Sequence, residues 1–186
     1  QRPEGNWQSG NTGPGVDGLC VMAFLASGED PNYGRYAENI RRALRYIVSQ
    51  QDAESGYLPS SMYHHGFALL ALSEAYGAVD EALLWPQKKD AKQRPLAVAI
   101  DLAIRCAATS QKKNRWGGWR YSPDSSDADT SVTGAVLMGL LAARNAGFAA
   151  AAICRLSQGS VTNEYDVMPG LKLSLIVGAR TLFERV

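Results

Sequence analysis

Three aspartates, Asp124, Asp127 and Asp129, stand in the stretch WGGWRYSPDSSDADTSVTG (116–134), beside two tryptophans and a Gly-Gly pair. A positioned carboxyl group can move a proton, and aromatic faces can line a wall beside it, so the stretch reads first as a catalytic acid cluster against an aromatic wall. On residue type alone, Asp127 and Asp129 are candidate catalytic residues. Trp116, Trp119, Tyr121 and Tyr63 are candidate ligand-binding residues. The same residues have a second reading. Aspartates just ahead of a helix accept its free N–H groups and complement its positive end. Tryptophans at a joint between repeats fill space. Contact with a ligand or metal is a third reading of the aspartates, and the start of an apolar helix near Thr130 or Ser131 favours capping among the three.

The remaining reactive side chains form no familiar constellation. His64 and His65 are adjacent, and neighbours on a helix point about 100° apart, whereas a helical zinc pair is spaced i, i+4. Cys20, Cys106 and Cys154 show no C-x-x-C spacing and sit in apolar surroundings, which predicts buried free thiols rather than a disulfide framework. GPGVDG (13–18) follows no strand, so it reads as a turn and not as a phosphate loop. Neither a metal nor a cofactor is expected.

Length and charge narrow the setting. At 186 residues the chain is expected to be one domain with a substantial core. Nineteen Lys and Arg against 18 Asp and Glu argue against a nucleic-acid binder, which carries a basic excess. No window approaches the roughly 18 uninterrupted apolar residues of a transmembrane helix. The chain starts at Gln1 and has no charged-then-apolar leader, so it is expected to be processed or cut from a longer one. Its compartment cannot be read.

The elements that must position these residues are helical. Over 36–51, Ile40, Ala43, Leu44, Ile47 and Val48 share a face, with Arg41, Arg42 and Arg45 elsewhere. Over 95–111, Leu96, Ala99, Ile100, Ala103, Ile104 and Ala107 do the same, with Pro95 suited to the first turn. The segments 64–77 and 131–146 are apolar almost all round, as helices inside a helical protein are. Gly28, Gly77 and Gly147 are placed to end helices in the left-handed conformation. The segment Val79–Arg94, with the Lys-rich run PQKKDAKQR, reads as a solvated loop.

A repeat emerges: an apolar helix, an amphipathic helix ending at Gln, then a loop with Gly before an aromatic. It spans about 15–57, 61–119 and 130–186, and Asn6-Trp7 resembles the end of a preceding unit. Such units bury their faces only by stacking, apolar helices inside and amphipathic ones outside. The tail 148–186 is atypical. It holds a helical AAAAICRL (149–156) and a final helix with Leu171, Leu175, Ala179, Leu182, Phe183 and Val186 on one face, though LKLSLIV also reads as a short strand.

At QQDAESGY (50–57), QKKNRWGGW (111–119) and the apolar-helix-to-Gly segments, the chain resembles the prenyltransferase and squalene-oxidase repeat family. Terpene cyclases, protein prenyltransferase β-subunits and complement-like thioester domains belong to that superfamily. Its squalene-cyclase repeats carry Gln, three residues, Gly, one residue, Trp. Here Gln51 has Ser55 at the first Gly position and Tyr57 at the Trp position, and the second copy, Gln111 to Trp119, is two residues longer. The likeness covers about residues 15–147, and GGWRY followed by DTSVTG is its most specific piece.

The resemblance implies an all-α fold, an α/α toroid of inner and outer helices around an apolar cavity. With about three helix pairs the toroid is expected to be partial. Its open edge is then covered by the rest of a longer chain or by a second subunit. Squalene cyclases protonate their substrate with the middle acid of Asp-x-Asp-Asp-Thr. Aligned on Asp129-Thr130, Ser126 takes the first Asp, Asp127 the variable site and Ala128 the acid. No Asp-x-Cys matches the zinc ligands of prenyltransferases, and no cysteine is followed by Gly as a thioester requires. The expectation is a non-catalytic repeat domain that binds a partner protein or an apolar ligand. The alternative is an isoprenoid-processing enzyme or a fragment of one.

Overall fold

The computed structural model describes residues 1–7, 13–86 and 93–148. They are all-helical, with no strand among the described residues: α1 Pro14–Ala26, α2 Ala37–Gln50, α3 Met62–Ala75, α4 Glu81–Leu84, α5 Leu96–Lys113 and α6 Thr130–Asn145. The segments 149–156 and 171–186, the third unit past Phe148, Cys154 and most of the Lys-rich run lie outside the described residues.

Helix α2 buries Ile40, Ala43, Leu44, Ile47 and Val48 on one side. Its other side carries Glu38, which pairs with Arg41 (3.0 Å) and with Arg45. Helix α3 is buried nearly all round, from Met62 through Ala75. The difference follows from position. α3 packs between α1 and α6, making a row of apolar helices, while α2 lies across α1 and α3 and α5 lies across α3 and α6. Each fully buried leucine of α3, such as Leu69 or Leu72, contributes about 1.5–3 kcal/mol.

The row is held at backbone distance by glycines. A Cβ at Gly18 would lie 2.6 Å from the Phe67 carbonyl of α3, and one at Gly66 would lie 2.6 Å from the Ala135 carbonyl of α6. Gly15 faces His64 and Gly18 faces Phe67, while Gly66 faces Ala135 and Leu69 approaches Gly139. Ascending numbers meet ascending numbers, so α1, α3 and α6 run parallel. The intervening helices α2 and α5 return the chain.

Two local expectations change. GPGVDG is the start of α1 rather than a turn, because Pro14 suits the first helical turn and α3's backbone sits where Gly15 and Gly18 lack side chains. The expected loop after Val79 contains the one-turn α4, capped by Asp80, whose Oδ1 accepts the Ala82 N–H at 2.8 Å. Gly28, Gly77 and Gly147 have φ of 85°, 83° and 93°, the left-handed ends expected of them.

Candidate functional site

The stretch 116–134 is the joint between α5 and α6. Gln111, at the end of α5, donates from Nε2 to the Gly117 carbonyl at 2.7 Å. Gly117 turns the chain at φ 73°. Trp119 then enters the core at 1% exposure, its indole N–H donating to the Ala107 carbonyl at 2.9 Å. Its backbone N–H donates to Thr133 Oγ1 at 3.0 Å, and its carbonyl accepts the Asp129 N–H at 2.8 Å. Trp119 therefore has every polar group spent and no face open to a ligand.

Asp129 is the N-cap of α6. Its Oδ1 accepts the N–H groups of Ser131 (2.9 Å) and Val132 (3.0 Å), and also the Ser131 hydroxyl. The bonds from Ser131 and the Val132 N–H hold its carboxyl below the usual carboxylate range. Asp127 is exposed and pairs with Arg120 at 3.2 Å, while its carbonyl accepts the Asn114 amide. Asp124 pairs with Lys113. The three acids do not converge on a common point; each is engaged with a different partner.

Of the other candidates, Tyr63 and Tyr121 come together. Their ring centroids are 6.0 Å apart, and Tyr63 also stacks on Phe67 at 6.2 Å and 18°. Tyr121 is 52% exposed, and its carbonyl accepts the Met62 N–H at 2.9 Å, which fixes the loop to the start of α3. These three rings form an aromatic ledge. Phe67 was not among the sequence candidates, although it stands i+4 from Tyr63 on the same helix, the spacing that places two side chains on one face. Trp116 is half-buried elsewhere in the joint, with the Arg115 guanidinium 4.7 Å over its ring.

The histidines are structural in different ways. His65 is fully buried; its Nδ1 accepts the Leu58 N–H at 3.2 Å, so Nε2 carries the proton and donates to the Ala103 carbonyl at 3.1 Å. Burial pushes its pKa down to about 4, and the ring is neutral at pH 7. His64 is half-buried against Gly13 and Gly15 of the α1 start, and burial lowers its pKa as well. Cys106 is a buried free thiol, pushed up to about 11 by burial, and Cys20 is half-buried and free. Among the described residues, no group of three His, Cys, Asp or Glu side chains could hold a metal ion.

The joint recurs, with a register that residue types hide. Gln51 Nε2 donates to the Gly56 carbonyl at 3.0 Å as Gln111 does to Gly117, and Gly56 has the same φ of 73°. Two residues on, the N–H of Leu58 donates to His65, as the N–H of Trp119 donates to Thr133. In the N-terminal copy, Gly5 (φ 110°) precedes Trp7, whose N–H donates to Asp17 Oδ1 at 2.7 Å. Asp17, His65 and Thr133 each stand one residue before a glycine of the row, Gly18, Gly66 and Gly134. The structural equivalent of Trp119 is thus Leu58, one residue past the expected Tyr57. Tyr57 instead stacks on His65 at 5.8 Å.

An open hollow of about 450 Å³ lies at the other end of α1 and α3, among Met22, Leu25, Glu29, Asp30 and Glu74. No helix among the described residues is long and apolar enough to cross a membrane. Compared with known proteins, the chain matches no family model, no curated protein and no solved structure.

Proposed function

We propose that this chain is a non-catalytic repeat domain, a partial α/α toroid of the squalene cyclase and prenyltransferase-like kind, that binds an apolar ligand or an apolar side chain of a partner protein. The observation that carries the reading is the state of Asp129. An alkene-protonating acid must hold its proton near neutral pH, which takes burial or a neighbouring negative charge. Asp129 instead accepts three hydrogen bonds at a helix N-terminus and is held ionised. Ala128 stands beside it where the resemblance would put the acid.

Binding falls to the ledge of Tyr63, Phe67 and Tyr121. Stacked rings with an exposed edge offer apolar area at little conformational cost. Further partners are the rest of a longer chain or a second subunit at the open edge of the row. The alternative, an isoprenoid-processing enzyme, would draw on the same ledge as a cavity wall for carbocations.

Incubating the protein with squalene and with isoprenoid diphosphates separates the two. The expected result is no turnover, with tyrosine and tryptophan fluorescence changes that disappear in Tyr63→Ala and Tyr121→Ala. Turnover that is lost in Asp127→Asn or Asp129→Asn would overturn the non-catalytic reading.

A further inference from the structure

Three positions of the repeat reach the following unit in the earlier copies and reach nothing beyond their own joint among the described residues in the last. A Cβ at Gly5 would lie 2.3 Å from the Arg42 carbonyl of α2, and one at Gly56 would lie 2.2 Å from the Leu102 carbonyl of α5. Each joint glycine therefore presses on the backbone of the next outer helix. At Gly117, their equivalent, no described atom lies within 4 Å.

The row glycines follow the same course. Gly18 presses on α3 and Gly66 on α6, but Gly134 has no described atom within 4 Å. The glutamines agree. Gln51 Oε1 accepts from Arg94 at 3.2 Å, and its Nε2 also reaches the Ala99 carbonyl of α5 at 2.8 Å. Gln111 is buried, and its Oε1 has no partner among the described residues. A buried amide oxygen left unpaired costs free energy, so natural structures rarely leave one without a partner.

We propose that the face of α6 formed by Gly134, Leu137, Met138 and Leu141, together with Gly117 and Gln111, is the seat of a further helix pair, and that residues 149–186 of this chain occupy it. The stripe of α6 follows the spacing i, i+3, i+4, i+7. The same spacing gives Gly18, Val21, Met22 and Leu25 in α1 and Gly66, Leu69, Leu70 and Ser73 in α3. Val21 and Leu69 are fully buried, whereas their equivalent Leu137 is half-buried; at the next position Leu70 is 9% exposed and Met138 51%.

Residues 149–186 offer the two kinds of segment the seat requires, in the order the repeat requires them. AAAAICRL comes first, as the outer segment against Gly117 and Gln111. Leu171, Leu175, Ala179, Leu182 and Val186 then form an apolar stripe for the face of α6, introduced by Pro169-Gly170 as Pro14-Gly15 opens α1. The proposal rests on the repeat part of the function proposed above and not on ligand binding.

The test compares amide hydrogen exchange in the whole chain and in Gly134→Leu. Leucine fits the α6 backbone, which an interior glycine only weakens, and it blocks the seat. Amides of 171–186 are expected to exchange at least about ten-fold more slowly than in a free peptide, and to lose that protection in Gly134→Leu while α3 and α5 keep theirs. Tail amides exchanging at free-peptide rates in the unsubstituted chain, or equally protected in both proteins, would overturn the proposal. Protection that rises with protein concentration, with a doubled mass by light scattering, would assign the seat to a second copy instead. Loss of protection in α3 and α5 as well would contradict the repeat reading itself, because the Gly134 face would then belong to the existing core.

Discussion

The joints before α3 and before α6 are built on one plan and decorated differently. In both, a glutamine closing an outer helix bonds the carbonyl of a left-handed glycine. In both, a buried side chain two residues later sends its backbone N–H to the residue before a row glycine. What differs is the chemistry of the parts: Leu58 and His65 in the first, Trp119 and Thr133 in the second. An aspartate caps the following helix only in the second, where Asp129 caps α6; in the first, Asp52 accepts from Ser55 inside the joint and α3, led by Ser61, has no side-chain cap. The feature that most resembles an acid site is an addition to a joint that also stands without it.

Removing the buried residue should break either joint, and by the largest amount. Trp119→Ala is expected to cost about 3–5 kcal/mol and Leu58→Ala about 2–5 kcal/mol, read from urea unfolding midpoints. Near-neutral values at either position would dissolve the equivalence. The histidine should make the first joint sensitive to pH between about 6.5 and 4, whereas the lowered carboxyl of Asp129 puts the second joint's dependence at lower pH. His65 has a folded pKa of about 4 against an ordinary 6.5, so the unfolded chain binds the extra proton between those values. Stability is then complete above pH 6.5, falls as pH drops towards 4 by about 3 kcal/mol, and levels off below. In His65→Gln, that portion of the pH dependence should vanish.

Smaller effects sharpen the comparison. Gln51→Ala removes three hydrogen bonds and should cost about 2–3 kcal/mol. Gln111→Ala should cost a similar amount in the whole chain, where the tail is proposed to partner its Oε1; a cost of only about 1 kcal/mol would mean that Gln111 keeps nothing beyond its bond to Gly117. Asp129→Ala should cost about 1 kcal/mol as a lost cap. Asp127→Asn breaks only an exposed ion pair and should change stability by less than about 0.5 kcal/mol.

Much of this plan was legible in the chain. The amphipathic helices α2 and α5 came within two residues of their ends, because apolar residues on one face and polar ones elsewhere state a helix and its orientation together. The left-handed glycines after α1, α3 and α6 were legible because no other residue adopts that turn without strain. The helix α4 was not, since four residues carry no periodicity. The register of the joint was misplaced by one residue because an aromatic at 57 looked like an aromatic at 119. The fold instead matched the position two residues past a left-handed glycine, which a leucine fills as well as a tryptophan. The alignment of Gly18, Gly66 and Gly134 was hidden by joints of unequal length. Phe67 escaped because it lies in a helix that is apolar on every side, where one more ring carries no signal.

Whether the stretch 116–134 is a joint or an acid site can be read directly from its carboxyl groups. Carbon-13 NMR titration of Asp129 in the intact chain should place its pKa below the ordinary 3.8, with the shift reduced in Ser131→Ala, which removes the hydroxyl and keeps the two backbone N–H bonds. An Asp129 carboxyl that stays protonated near pH 7 would contradict the joint and restore the acid.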